Sequence, residues 1–249
     1  MDRLSVEALE DSRKGMRRHV NPLLRPTDTS SDRLPVPIHL TNGYSDVVSI
    51  RVGIDELQSA GFPMGGEPLV ALDLADTLMT VTEPATDLIG SPEASATWWS
   101  LQSGSLPPGP VPDAAAVRRL RAAIRDVLDS HLEGRAARPT SVDDINAAAA
   151  AAPVSPRLIV TADGPRGERR WHTEHGGNAA LAAIAAEAIA LLADSERLQL
   201  LRRCANPACS MLFLAENKRR KWCTSNICGN RARVARHYER THTDRDGGV

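Results

Sequence analysis

The chain is predicted to be mainly α with a small β-hairpin: a helical N-terminal domain followed by a small C-terminal treble-clef or ribbon-like metal module. Three observations carry this. Aromatic residues are only 3% of the chain although 42% is hydrophobic, and alanine is abundant, which suits small-residue helices better than a β-sandwich. Apolar residues recur at three- and four-residue steps over long stretches, the period of one helix face. All four cysteines of the chain fall between Cys204 and Cys228.

Residues 1–65 read as an irregular, partly disordered extension, with the first 33 residues expected to be mobile. It holds a basic cluster of Arg13, Lys14, Arg17 and Arg18, and a hairpin-turn pair, Asn42-Gly43. A helical domain is expected over 66–201. Leu69, Leu72 and Ala75 to Met79 mark a short helix. Ser91-Pro92-Glu93 is an N-cap with proline at the first helical position, opening a helix that carries Trp98 and Trp99. The Gly- and Pro-rich stretch 103–112 is a loop. Asp113 caps a long helix whose Val117, Leu120, Ile124, Leu128 and Leu132 form one apolar face. Ser141 with Asp144 resembles a capping box for an alanine-rich helix stopped by Pro153. Residues 157–173 read as a hairpin about Asp163-Gly164. Asn178 caps an almost wholly apolar helix, expected to be central and to run without a break from Asn178 to Arg203.

No apolar run approaches the length of a membrane span, and the N-terminus lacks the apolar stretch of a secretory signal, so the cytoplasm is the expected compartment and no membrane partner is expected. Cytoplasmic thiols stay reduced, which turns the cysteines from disulfide candidates into metal-ligand candidates. Cys204 and Cys209 form one Cys-x4-Cys pair, and Cys223 and Cys228 form another. Each short loop lets two thiolates converge, and together they supply the four tetrahedral donors that zinc requires. Four protein donors leave no open position, so one structural zinc ion per chain is expected. Free thiols, an iron–sulfur cluster, or a Cys3His site through His237 or His242 are the competing readings; the regular pairing favours four cysteines.

Charge is distributed unevenly. From Arg202 to Arg240 there are ten Lys or Arg and two Glu, a net +8 in a chain whose total is −1. Four thiolates and a zinc ion would lower that to about +6. Lys218, Arg219, Arg220 and Lys221 precede Trp222, and Arg231, Arg233, Arg236 and Arg240 follow the last cysteine. At helical spacing 233, 236 and 240 share one side. Two basic clusters on one metal-stabilised module suggest contact with phosphates. The competing reading is a tail docked onto its own acidic body. Asp73, Asp76, Trp98 and Trp99 are the candidate lining of a ligand pocket. Asp73, Asp76, Thr77 and Thr80 also share helical spacing, but no nucleophile–base pair, phosphate loop or metal-hydrolase spacing accompanies them, and no enzyme is expected.

Around the cysteines the chain resembles a known family. Cys228-Gly229-Asn230-Arg231 matches the motif that names the CGNR zinc finger, with Cys204-Ala205-Asn206-Pro207-Ala208-Cys209, Leu212-Phe213 and Trp222-Cys223 as the wider match. Leu72-Asp73-Leu74-Ala75-Asp76-Thr77 resembles the opening Leu-Asp-x-x-Asn-Thr element of the ABATE domain that usually precedes that finger. Asp87-Leu88-Ile89 and Ser91-Pro92 resemble its next helix. The resemblance covers roughly 66–240 and implies a helical ABATE-like domain over 66–201 and a CGNR-type finger over 202–243. Asp76 stands where the family commonly has Asn, and Ala215 to Lys218 replaces a longer stretch. What the resemblance implies is a bacterial, stress-response transcription regulator whose finger contacts DNA, with RNA or protein as the alternative partner. A homodimer and a small-molecule effector are further expected partners.

Overall fold

The computed structural model describes residues 52–64, 67, 69–215 and 217–246, all within one compact unit. The basic cluster near residue 13 and the Asn42-Gly43 turn lie outside the described residues. Residues 52–64, expected in the irregular extension, belong instead to the body: α1 (Ile54–Ser59) buries Leu57, and Phe62 and Met64 follow it into the core.

The heart of the body is α2 (Val70–Asp76), all of whose residues are buried, aspartates included. Its N-cap, Leu69, offers no side-chain acceptor, and Glu187 of a later helix accepts the Ala71 N–H at 3.2 Å instead. A short ladder of β1 (Leu78–Met79) and β2 (Thr86–Asp87) leads to α3 (Pro92–Gln102), where Ser91 Oγ accepts the Ala94 N–H as expected. Asp113 caps α4 (Ala114–Glu133) by accepting from Ala115 and Ala116, and Val117, Leu120, Ile124 and Leu128 are buried along one face. α5 (Pro139–Ala151) begins before the expected Ser141 start, because Pro139 takes the first helical position and Ser141 lies buried inside the first turn.

The hairpin starts and ends earlier than predicted. β3 (Val154–Thr161) pairs antiparallel with β4 (Gly164–Trp171), and since Thr161 opposes Gly164 the turn is Ala162-Asp163. Asn178 Oδ1 accepts the Leu181 N–H to open α6 (Ala179–Ala193), which packs against α2, α4 and α5 as the central helix. The neighbouring Gly177 has no room for a side chain: a Cβ there would lie 1.7 Å from the Ala151 carbonyl oxygen.

One expectation fails at the end of α6. The helix stops at Ala193 rather than running to Arg203. Asp194 leaves the helical region and its carboxylate accepts the Glu196 and Arg197 N–H groups, capping the one-turn α7 (Ser195–Leu198). An aspartate followed by serine is more stable as a cap than as helix interior. The chain then extends into β5 (Leu201–Arg203), which pairs antiparallel with β6 (Leu212–Leu214), and ends in α8 (Cys228–Asp246).

Candidate metal centre and its basic face

The four cysteines converge where the β5–β6 hairpin meets the start of α8. Cys204 follows β5 directly, its N–H donating to the Met211 carbonyl at 2.9 Å, and the Cys209 N–H closes the first knuckle on the Asn206 carbonyl at 2.9 Å. Cys228 is the first residue of α8. All four side chains are buried and their sulfurs lie within 4.8 Å of one another, with Cys209 and Cys223 Sγ 3.8 Å apart. Thiolates about 2.3 Å from a tetrahedral zinc are about 3.8 Å from each other, so the spacing fits the ion. One backbone and one side-chain donor suit the thiolate charge: the Cys223 N–H points to Cys204 Sγ at 3.5 Å, and Asn206 Nδ2 to Cys228 Sγ at 3.4 Å. Hydrogen bonds from Cys209 and Cys223 draw the Cys204 thiol down, while the bonds to Cys204 push Cys209 and Cys223 up; a divalent cation displaces protons shared in this way. The donor set is that of one structural zinc ion, with no position left for substrate. His237 is exposed on α8, outside the cluster. Gly229, beside the last ligand, packs against the Trp222 ring and the Thr224 carbonyl, where an added Cβ would come within 3.4 and 3.3 Å.

The module is fastened to the body through the edge of β6. The flanking bonds from Cys204 N–H to Met211 and from Ala215 N–H to Leu200 set the ladder so that Leu212 and Leu214 turn their N–H groups away from β5. Two carboxylates of the body meet them. Asp76 accepts the Leu212 N–H with both oxygens, at 3.0 and 2.9 Å, and Glu67 Oε2 accepts the Leu214 N–H at 3.1 Å. Each carboxylate has its own buried or half-buried arginine. Arg125 of α4 bonds Asp76 at 3.3 Å, the Ser210 carbonyl at 2.6 Å and Asp129 at 2.8 Å. Arg220 bonds Glu67 at 2.6 Å and the carbonyls of Leu214, Trp222 and Cys223, with its guanidinium 4.4 Å from the centre of the Phe213 ring.

This geometry corrects one expectation and bears on another. Arg220 is not a free cation for nucleic acid, because all three of its guanidinium nitrogens are held by carbonyls of the module and by Glu67 of the body. The candidate pocket residues Asp73, Asp76, Trp98 and Trp99 are all buried; the two rings meet edge to face at 4.8 Å, and both indole N–H groups are buried without a hydrogen-bond partner among the described residues. Asp73 accepts the Glu67 N–H at 3.2 Å and Gln102 Nε2 at 3.4 Å. Burial pushes its carboxyl up to about 7, against the opposing Glu67 N–H. Burial also raises Asp76, against the pull of Arg125 and the Leu212 N–H.

Sequence reasoning passed over Arg121 and Arg125. Arg121 forks onto Asp87 at 2.6 and 2.7 Å and donates to Thr77 Oγ1 at 3.0 Å, tying together the two stretches that carry the ABATE resemblance. The signal was present: both arginines lie on the apolar side of α4, and a cation on a buried face demands a buried anion.

The remaining cations face outward. Lys218, Arg219, Lys221, Arg231, Arg233, Arg236 and Arg240 are exposed, and none pairs with a carboxylate among the described residues. Arg203, by contrast, reaches back to Asp129 and Glu133 of α4 at 2.9 and 3.0 Å. The reading of a tail docked on an acidic body therefore holds for its inner side alone.

These features define a class: a structural zinc module fixed by buried ion pairs to a small helical body. The ABATE family model, whose description is "Putative stress-induced transcription regulator", matches residues 69–195, and the CGNR zinc finger model matches residues 200–241. The chain belongs to the ABATE family and carries a CGNR zinc finger. Among curated proteins, none matches it significantly.

Proposed function

We propose that this protein is a bacterial, cytoplasmic transcription regulator of a stress response that binds duplex DNA through the outward side of its zinc module. The observation that carries the reading is the set of exposed cations on 218–221 and α8, held by the same zinc fold and unpaired with any described carboxylate. The zinc is structural, and the reading assigns the protein no catalytic step. The helical body acts as the sensing or dimerising part. Its joint with the finger is the β6 edge, where a shift of α2 or α4 would move Asp76 or Arg125 and with them the finger.

The test is fluorescence anisotropy of the full chain on short duplexes over a range of salt. If about five phosphates are neutralised, log K should fall against log salt with a slope of about −4 to −5. A preference for RNA of matched length would favour the alternative reading of an RNA-binding zinc module.

A further inference from the structure

α8 is held by its first turn and by one bond from Arg233 to the Ser225 carbonyl, and then leaves the module. Cys228 is a zinc ligand and Gly229 packs on Trp222, but from Asn230 to Arg240 every described side chain is exposed except the half-buried Ala232. A helix exposed all round gains nothing from an apolar face. Its arginines add a cost: Arg233 and Arg236 are three apart and Arg236 and Arg240 four apart, neighbours on the surface whose like charges repel. At 3.6 residues per turn the three lie within about 60° around the axis. The exposed Val234 and Tyr238 are on the other side. Among the described residues the stripe has one partner in the rest of the module, the Ser225 carbonyl, which accepts from Arg233 at 3.2 Å; a polyanion would engage all three arginines.

Resting on the DNA-binding reading above, we infer that α8 is a recognition helix: its Arg233–Arg236–Arg240 stripe enters the major groove of duplex DNA and reads base edges, guanine foremost. Dimensions and donors both select this partner. A helix with its side chains is about 10–12 Å across and fits the B-DNA major groove of about 12 Å, not the minor groove of about 6 Å. The deep, narrow major groove of A-form RNA does not admit it. Arg236 Nε donates to the Ala232 carbonyl and Arg240 Nε to the Arg236 carbonyl, each at 3.1 Å. Each guanidinium is thereby steadied along the helix, with no partner for its terminal nitrogens among the described residues, and presents the fork that guanine O6 and N7 accept. Lys218, Arg219 and Lys221 then serve the flanking phosphates, which position without reading sequence.

The experiment starts from the tightest duplex recovered by the full-length protein from a random pool. The same sequence is then made with glucosylated 5-hydroxymethylcytosine, which fills the major groove with sugar and leaves the phosphates unchanged. The wild-type protein should bind the sugar-filled duplex at least about tenfold more weakly. The double variant Arg236→Lys, Arg240→Lys keeps the charge but loses the fork. It should keep the salt slope and the zinc content yet lose most of the preference for the selected sequence over the pool. Equal affinity for the two duplexes, or a double variant that keeps the preference, overturns the groove assignment while leaving DNA binding in place. Failure to retain any duplex from the pool overturns both.

Discussion

The inward and outward sides of the zinc module are built from the same residue types, and adjacent residues can belong to opposite sides. Arg219 is exposed, whereas Arg220, next to it, spends its guanidinium on Glu67, three carbonyls and the Phe213 ring. On the inward side a cation is a structural part whose removal strands a buried carboxylate. On the outward side it is solvated, and its removal is invisible to the fold. A count of basic residues therefore says how much charge a segment carries, not which part of that charge a ligand can reach.

The largest expected effect is on the metal. The protein should contain one zinc per chain by mass spectrometry, and Cys223→Ser should abolish it, removing folding free energy on the order of 10 kcal/mol from the module. Because β6 is bonded to Asp76 and Glu67, the loss should spread: the body's thermal midpoint should also fall. A body midpoint that stays in place after zinc is lost would show that the two parts are energetically independent.

Asp76→Ala should come next. It removes one of the two carboxylates that Arg125 meets, leaving Asp129, and strands the buried Leu212 N–H without an acceptor, a destabilisation of about 3 kcal/mol in urea titrations. Asp76→Asn keeps one acceptor and should cost clearly less.

Asp73 tests the acidic centre by pH. Its carboxyl sits at about 7 in the folded chain against 3.8 for an ordinary one. The folded protein thus holds a proton that the unfolded chain releases between about pH 4 and 7, and stability falls as pH rises through that window. Asp73→Asn should flatten this profile. At pH 8 it should be more stable than wild type by on the order of 1–3 kcal/mol, with little difference near pH 4. Urea midpoints at the two pH values decide it.

The smallest effect on the fold belongs to the outward side. Replacing Lys218, Arg219 and Lys221 by Ala should change stability by less than about 0.5 kcal/mol. The same variant should flatten the salt dependence of duplex binding by up to about 2.7 in slope. An unchanged slope would move the binding surface elsewhere.

Much of the secondary structure was legible because its signals are local. Ser91, Asp113 and Asn178 cap the helices they were expected to cap, and the apolar stripe of α4 faces the core. The zinc site was legible for the same reason, since its ligands come in two short loops. What stayed hidden depends on partners distant in sequence. Asp76 looked like the wet side of a short helix until β6, more than a hundred residues later, supplied an N–H for it. Arg220 looked like part of a phosphate-binding run because its partner, Glu67, lies on the far side of the body in sequence. The break at Asp194 was readable as an Asp-Ser cap, but the alanine-rich pattern before it argued for continuity.

The carboxylates on β6 have one more consequence. Met211 to Ala215 is an unbroken apolar run, and β6 is the outer strand of a two-stranded ladder. Left open, such an edge is a template on which another chain can add a strand. Asp76 and Glu67 close it with acceptors that carry charge and no N–H to continue the ladder. The same contacts that hold the finger in place therefore guard the protein against self-association. Metal-stripped or Asp76-substituted protein should form β-rich aggregates, which wild type under the same conditions avoids.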